Sequence, residues 1–126
     1  MTRHDYRIAL ALTGVLATIL TTGLPLQSAF GEGGARRDVV RQEQQSVRDA
    51  IKHATEAVEH GKQGHADKLV THAEASLQQA MRGGTDPHVA EAMTNLKAAI
   101  EPGKAGHADV ATNHAERAVT HLSQAT

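Results

Sequence analysis

Residues 60–80 read HGKQGHADKLVTHAEASLQQA, and residues 102–122 repeat this pattern as PGKAGHADVATNHAERAVTHL. The two copies lie at a constant offset of 42 residues, which indicates a repeated supersecondary unit. Histidines recur seven residues apart within and beside these copies: His53 and His60, His65 and His72, and then His107, His114 and His121. Imidazole is the commonest metal ligand in proteins, so this regular array indicates metal-ion binding.

Apolar residues recur at helical spacing in four segments of the chain, 47–58, 66–80, 89–100 and 110–122. Each segment is typical of an amphipathic helix that packs one face on a partner. No strand pattern competes with this periodicity. Because the connections are short, we predict an all-α fold, an antiparallel up-down-up-down four-helix bundle made of two repeated helical hairpins, 46–82 and 86–125.

Turn residues separate the four predicted helices. GKQG (61–64) and GKAG (103–106) are the turns inside the two hairpins. Between the hairpins, Asp86 is a predicted N-cap and Pro87 suits the first helical position. Ser46 resembles the start of a capping box, so the first helix is expected to begin there or to run back to about Asp38. We accordingly expect residues 32–45 to be a flexible lead-in or early helix, and residues 46–126 to form one small four-helix domain.

The N-terminal segment has the order of regions that is typical of a secretory signal peptide. Arg3 and Arg7 precede a largely apolar run over 8–24, and small or polar residues follow it. We predict a signal peptide over 1–31, with cleavage near residue 31 or 35. The alternative is an uncleaved membrane anchor, because the apolar run approaches the length that spans a bilayer.

Composition excludes several classes of function. The formal net charge of −1 provides no field that would attract nucleic acid or an acidic membrane. The two aromatic residues, Tyr6 and Phe30, both precede the repeats, so the stacking platforms of single-stranded nucleic-acid binders are missing. The absence of cysteine excludes disulfides, thiolate zinc sites and iron–sulfur clusters. We expect a monomer that binds neither nucleic acid nor, once the signal is removed, membrane.

Metal sites require ligands from two helices. Two histidines seven residues apart on one helix lie about 10 Å apart along its axis and cannot share an ion. Positions that face each other across an antiparallel hairpin have residue numbers with a constant sum, 125 for the first hairpin and 209 for the second. Three of the six layers defined in this way contain two histidines: His60/His65, His53/His72 and His88/His121. The remaining layers are Asn95/His114 and Pro102/His107, with one histidine each, and Ser46/Gln79, with none.

Carboxylates on the same helices could complete these sites. Glu56 follows His53 by three residues and precedes His60 by four, so it can reach either ring. Glu91 follows His88 by three residues and can reach that ring in the same way. A set of nitrogen and oxygen ligands without thiolate suits Cu(II), Ni(II) or Zn(II), and the Irving–Williams order favours copper. Because binding requires neutral imidazole, we expect affinity to fall below about pH 6.5.

Two longer segments carry a family resemblance, KHATEAVEHGKQGHADKLVTHAEASL (52–77) and LKAAIEPGKAGHADVATNHAERAVTHL (96–122). With heptad-spaced histidines and the HGKxGHxD turn, which the second segment carries as PGKAGHAD, they resemble the small metal-binding protein family. The resemblance covers about Ser46 to Ala125. It implies an exported, periplasmic four-helix protein that binds copper and other divalent ions and serves metal homeostasis.

The resemblance also implies which residues bind metal: His53, His60, His65, His72, His88, His107, His114 and His121. This chain departs from a fully populated array at Ser46, Gln79, Asn95 and Pro102. We therefore expect fewer bound ions than a full array would hold, and weaker binding at His107 and His114.

The leading hypothesis is a periplasmic protein that buffers or scavenges Cu(II), or Ni(II) or Zn(II), and has no catalytic step. The alternative is a non-catalytic structural or interaction module that docks an apolar helix face on a partner. Catalysis is not expected, because the chain contains no P-loop, Gly-rich dinucleotide motif or Ser/His/Asp set.

Overall fold

The computed structural model describes residues 28–126, with side-chain environments from residue 33 onward. Its helices are α1 Ser28–Lys62, α2 Ala66–Ala80, α3 Pro87–Lys104 and α4 Ala108–Gln124. No strand occurs within these residues. The predicted all-α architecture of four helices is confirmed.

The first helix begins earlier than either sequence-based expectation. It starts at Ser28, so that both the expected start at Ser46 and the run-back to Asp38 are wrong. Ser46 is buried in the middle of α1 and does not cap it. The Arg- and Gln-rich stretch over 35–45 consists largely of good helix formers, which explains why residues 32–45, expected to be either a flexible lead-in or early helix, are helical. Most of the predicted signal segment, residues 1–27, lies outside the described residues.

The two GKxG turns use the same hydrogen-bond pattern to end a helix. Gly64 and Gly106 have φ angles of +78° and +83°, which residues other than glycine rarely adopt. The His65 amide donates to the His60 carbonyl at 2.9 Å, and the His107 amide donates to the Pro102 carbonyl at the same distance. This is a Schellman motif, and it reverses the chain identically in both repeats.

The connection between the hairpins follows the predicted capping chemistry. The Asp86 carboxylate accepts a hydrogen bond from the His88 amide at 2.7 Å, and Pro87 occupies the first position of α3. An N-cap carboxylate satisfies an amide that the helix itself leaves without a partner. Consequently the position of His88 at the start of α3 is fixed.

Each helix packs on two neighbours: α1 and α3 both contact α2 and α4 extensively. The core between them is built mainly of alanine, with Leu69, Leu96 and Leu122 as its largest fully buried side chains. Small residues allow the helices to approach closely. A Cβ added at Gly103 would lie 2.6 Å from Val70 Cγ2, and one added at Gly61 would clash with Thr112 Oγ1.

Two equivalent ion pairs join the hairpins to each other. Lys62 Nζ lies 2.9 Å from Glu116 Oε1, and Lys104 Nζ lies 3.0 Å from Glu74 Oε1. Lys104 is the repeat equivalent of Lys62, and Glu116 is the repeat equivalent of Glu74, each 42 residues later. The two ion pairs are therefore related by the symmetry of the repeat. Because all four side chains are about half exposed, each pair contributes at most about 1 kcal/mol.

Within the described residues, none of the helices combines the length and the apolar character needed to cross a bilayer.

Candidate metal centres

The first candidate centre, called site one, consists of His53, Glu56 and His72. Glu56 Oε2 lies 3.1 Å from His53 Nδ1 on its own helix and 3.0 Å from His72 Nδ1 on α2. The two imidazole centres are 5.9 Å apart. The predicted alignment of His53 with His72 across the hairpin is therefore confirmed.

Helical periodicity places these side chains at the border of the core. His53 directly precedes the fully buried Ala54, and His72 directly precedes the fully buried Ala73. Each ring therefore lies in the groove between α1 and α2, with its side chain about one third exposed (33% and 28%). The site opens to solvent along one hairpin, and it does not lie between the two hairpins.

The chemistry of site one suits a divalent cation. An ionised carboxylate can only accept hydrogen bonds, so His53 Nδ1–H donates to Glu56 Oε2, and His72 Nδ1 lies 3.0 Å from the same oxygen. A cation at this point would be bound by two imidazole nitrogens and one carboxylate oxygen. The three potential ligand atoms lie within 4.8 Å of one another, so only small side-chain movements would bring them onto one ion.

The second candidate centre, called site two, consists of His88, Glu91 and His121, and bridges α3 and α4. Glu91 Oε2 lies 2.8 Å from His121 Nδ1 but 3.9 Å from His88 Nδ1. The ring centres are 6.3 Å apart, which confirms the predicted facing of His88 and His121. The Glu91 and His88 side chains are 58% and 45% exposed, so site two is more open and less tightly organised than site one.

The two sites are chemically alike but do not occupy equivalent positions in the repeat. Moving site one forward by 42 residues gives Asn95, Ala98 and His114. Moving site two back by 42 residues gives Ser46, Asp49 and Gln79. Each hairpin therefore carries one three-residue group, and the groups lie in different layers of the bundle.

The third predicted layer, His60 and His65, is also brought together, with ring centres 6.0 Å apart. His60 has a second neighbour that the layer argument did not predict. Its ring lies 5.1 Å from that of His72 and nearly parallel to it, at an interplanar angle of 16°. His65 is exposed at the turn.

The remaining predicted ligands, His107 and His114, are not brought into such groups. In the part of the chain that the structure describes, neither belongs to a cluster of three potential ligands, and neither ring contacts another imidazole. This agrees with their facing partners, Pro102 and Asn95, which supply no imidazole.

Sequence reasoning missed the role of Glu56 as a link between helices. It placed Glu56 within reach of His53 or His60 on α1, whereas the carboxylate contacts His53 and His72. The available signal was the layer itself: a residue one helical turn from His53 also lies close to the residue that faces His53. The same reasoning applies to Glu91, which contacts His121 across its own hairpin.

The fold and these two centres define the class of the protein, an antiparallel four-helix bundle with paired-histidine and carboxylate groups suited to metal ions. The family model described as small metal-binding protein matches residues 11–125. The chain belongs to this family. No curated protein matches the chain.

Proposed function

We propose that the protein binds and buffers divalent transition-metal ions in the periplasm, and that it has no catalytic step. The observation that carries this proposal is the convergence of His53, Glu56 and His72, from two helices, on a single point. Family membership supports metal binding in general. The choice of ion rests on the chemistry of the ligand atoms, and the choice of compartment on the N-terminal sequence and the family resemblance.

Cu(II) is the favoured ion, with Ni(II) and Zn(II) as alternatives. The ligand atoms are imidazole nitrogens and carboxylate oxygens, and among divalent ions such a set binds copper most strongly. Three protein ligands leave further coordination positions to water. Together with the partial exposure of the site-one side chains, this favours reversible exchange with the solvent, as buffering requires.

Periplasmic location is supported by the n-, h- and c-region order of residues 1–31 and by the exported nature of the family that the repeats resemble. Mass spectrometry of the protein isolated from a periplasmic extract tests this part of the proposal. We expect a chain that begins near residue 32 or 36. Recovery only from membranes, with residues 1–31 retained, would contradict export as a released protein.

Isothermal titration of the isolated protein with Cu(II) tests the binding itself. The reference is a variant in which the eight histidines His53, His60, His65, His72, His88, His107, His114 and His121 are changed to Gln. A second variant retains only the four histidines of sites one and two. We expect this variant to keep the tightest binding, whereas equal affinity of the native protein and the eight-Gln variant would refute the proposal.

A further inference from the structure

Four imidazoles of the first hairpin form a continuous row that leads from the turn to site one. The order in the row is His65, His60, His72 and His53, with successive ring centres 6.0, 5.1 and 5.9 Å apart. The row begins at the exposed His65 and ends at the carboxylate of Glu56. In the second hairpin, Pro102 and Asn95 stand where His60 and His53 stand in the first, so the row has no counterpart there.

The spacing allows neighbouring members of the row to bind one ion together. An ion bound at about 2.0–2.1 Å from one nitrogen of each of two imidazoles leaves the ring centres at most about 6.4 Å apart. All three separations in the row fit this limit. The nearly parallel rings of His60 and His72 must first turn, because an ion lies in the plane of each ring that binds it.

Among the described residues, no carboxylate orients the His60 ring, unlike those of His53 and His72. The Nδ1 of His60 is shielded from solvent and has no hydrogen-bond partner among the described residues. His53 and His72, in contrast, are each held by Glu56 at 3.1 and 3.0 Å. The χ2 angle of histidine has a broad energy minimum, so rotation of the His60 ring meets little torsional resistance and breaks no hydrogen bond at Nδ1.

We propose that His65 and His60 form an outer binding position for a divalent transition-metal ion, and that His60 delivers the ion to His72 and thus loads site one. This inference rests on the proposed function. Each transfer is a ligand exchange without electron transfer. A bond from the ion to a nitrogen of His72 forms as the bond to His65 breaks, and His53 and Glu56 then replace His60. The rings that bind the ion remain neutral, because a proton lost from one ring nitrogen is taken up from solvent by the other.

This route raises the local concentration of the ion beside His72. An ion held on His60 is presented to His72 at an effective concentration of roughly millimolar or more, whereas free ion in a buffered compartment is far more dilute. Direct loading from solvent also remains open, since the site-one side chains are about one third exposed. Loss of the row should therefore slow loading without abolishing it.

The test uses protein isolated after expression of the full chain, with His88→Gln and His121→Gln introduced to remove site two. Copper binding by this background protein is measured first. Substoichiometric Cu(II) is then mixed rapidly with the background protein and with the same protein carrying His60→Gln. At micromolar ion we expect site-one association to slow by about tenfold. Dissociation should slow by a similar factor, because removal of a route changes both directions equally and leaves the Kd in place.

Gln63→Ala is the matched control, since Gln63 is an exposed residue of the same turn that carries no imidazole. It should leave both rates unchanged. His65→Gln, at the exposed end of the row, should also slow association, as His60→Gln does, and provides a second variant if His60→Gln fails to fold.

Unchanged rates in the histidine variants would overturn the inference. So would a weaker Kd at an unchanged association rate, because His60 would then be a ligand of site one itself. Absence of copper binding in the background protein would instead overturn site one and the inference with it, and absence of binding in the native protein as well would overturn the proposed function.

Discussion

Glu56 Oε2 lies 3.0 Å from His72 Nδ1, so a carboxylate of α1 is joined to an imidazole of α2. The same oxygen also contacts His53, three residues before Glu56 on α1. One acidic side chain therefore organises two imidazoles from different helices and concentrates negative charge where a cation would bind. Site two has the same design with Glu91, but with one contact lengthened to 3.9 Å.

Glu56→Gln should weaken Cu(II) binding at site one by about tenfold or more, because it removes the charge that orients and complements the two rings. The measurement is titration of protein that lacks site two. Glu59→Gln is the matched control: Glu59 is exposed on the same helix, three residues from Glu56, and should leave affinity nearly unchanged. Equal losses in the two variants would show that only net charge matters.

Site one should fill before site two, because its ligand atoms are closer together and its side chains are less exposed. Titration of His53→Gln/His72→Gln should leave the weaker component of binding, and titration of His88→Gln/His121→Gln should leave the tighter one. The opposite order would show that preorganisation of the metal-free side chains does not determine affinity here.

A third three-residue centre should be obtained by two substitutions in the second hairpin. Asn95→His and Ala98→Glu reproduce His53 and Glu56 at the equivalent positions, where His114 already stands in place of His72. Both altered positions are partly exposed, so the larger side chains can be accommodated. We expect one additional tight Cu(II) per chain in a titration. Asn95→Gln/Ala98→Glu, which adds the charge without the imidazole, should not produce it.

Metal binding should stabilise the bundle, since each site joins two helices and would be lost on unfolding. At a free ion concentration of about 100 times the Kd, a single site contributes about 2.7 kcal/mol to the free energy of unfolding. Thermal unfolding followed by circular dichroism should therefore show a Tm that rises with copper concentration. A variant with His53, His72, His88 and His121 changed to Gln should show little rise. An equal rise in that variant would place the stabilising ions elsewhere.

Gly103→Ala should destabilise the bundle by about 1–2 kcal/mol, since crowding in a tightly packed interface outweighs the gain in helix propensity. The added Cβ would lie 2.6 Å from Val70 Cγ2 on the neighbouring helix. Gly61→Ala, whose Cβ would meet both Thr112 and Leu69, should cost more. Urea unfolding measures both changes. Asn113→Ala, at an exposed position of α4, is the control and should stay within about 0.5 kcal/mol of the native protein.

Local chemistry explains why much of the fold could be predicted from the sequence. Gly64 and Gly106 adopt left-handed conformations that residues other than glycine rarely adopt. Single glycines therefore specify where the two turns lie. Asp86 and Pro87 likewise specify a helix start without help from distant groups. Because these turns are short, the residues that face each other across each hairpin follow from counting. His53 with His72, and His88 with His121, were placed correctly in this way.

The start of α1 was not predictable in the same manner. Ser46 has the form of a capping residue, yet the helix runs through it from Ser28. A capping pattern is only a local preference, and helix-forming residues on its N-terminal side can override it.

The sequence by itself determined the helices, the turns and the pairing of histidines within each hairpin, because these depend on conformations of a few adjacent residues and on a regular rise per residue. Only the tertiary structure decided that Glu56 contacts His72, that His60 lies against His72, and that the histidine grooves open to solvent. Such contacts depend on the rotation of each helix about its axis and on side-chain rotamers. Both are set by the packing of all four helices around the alanine core.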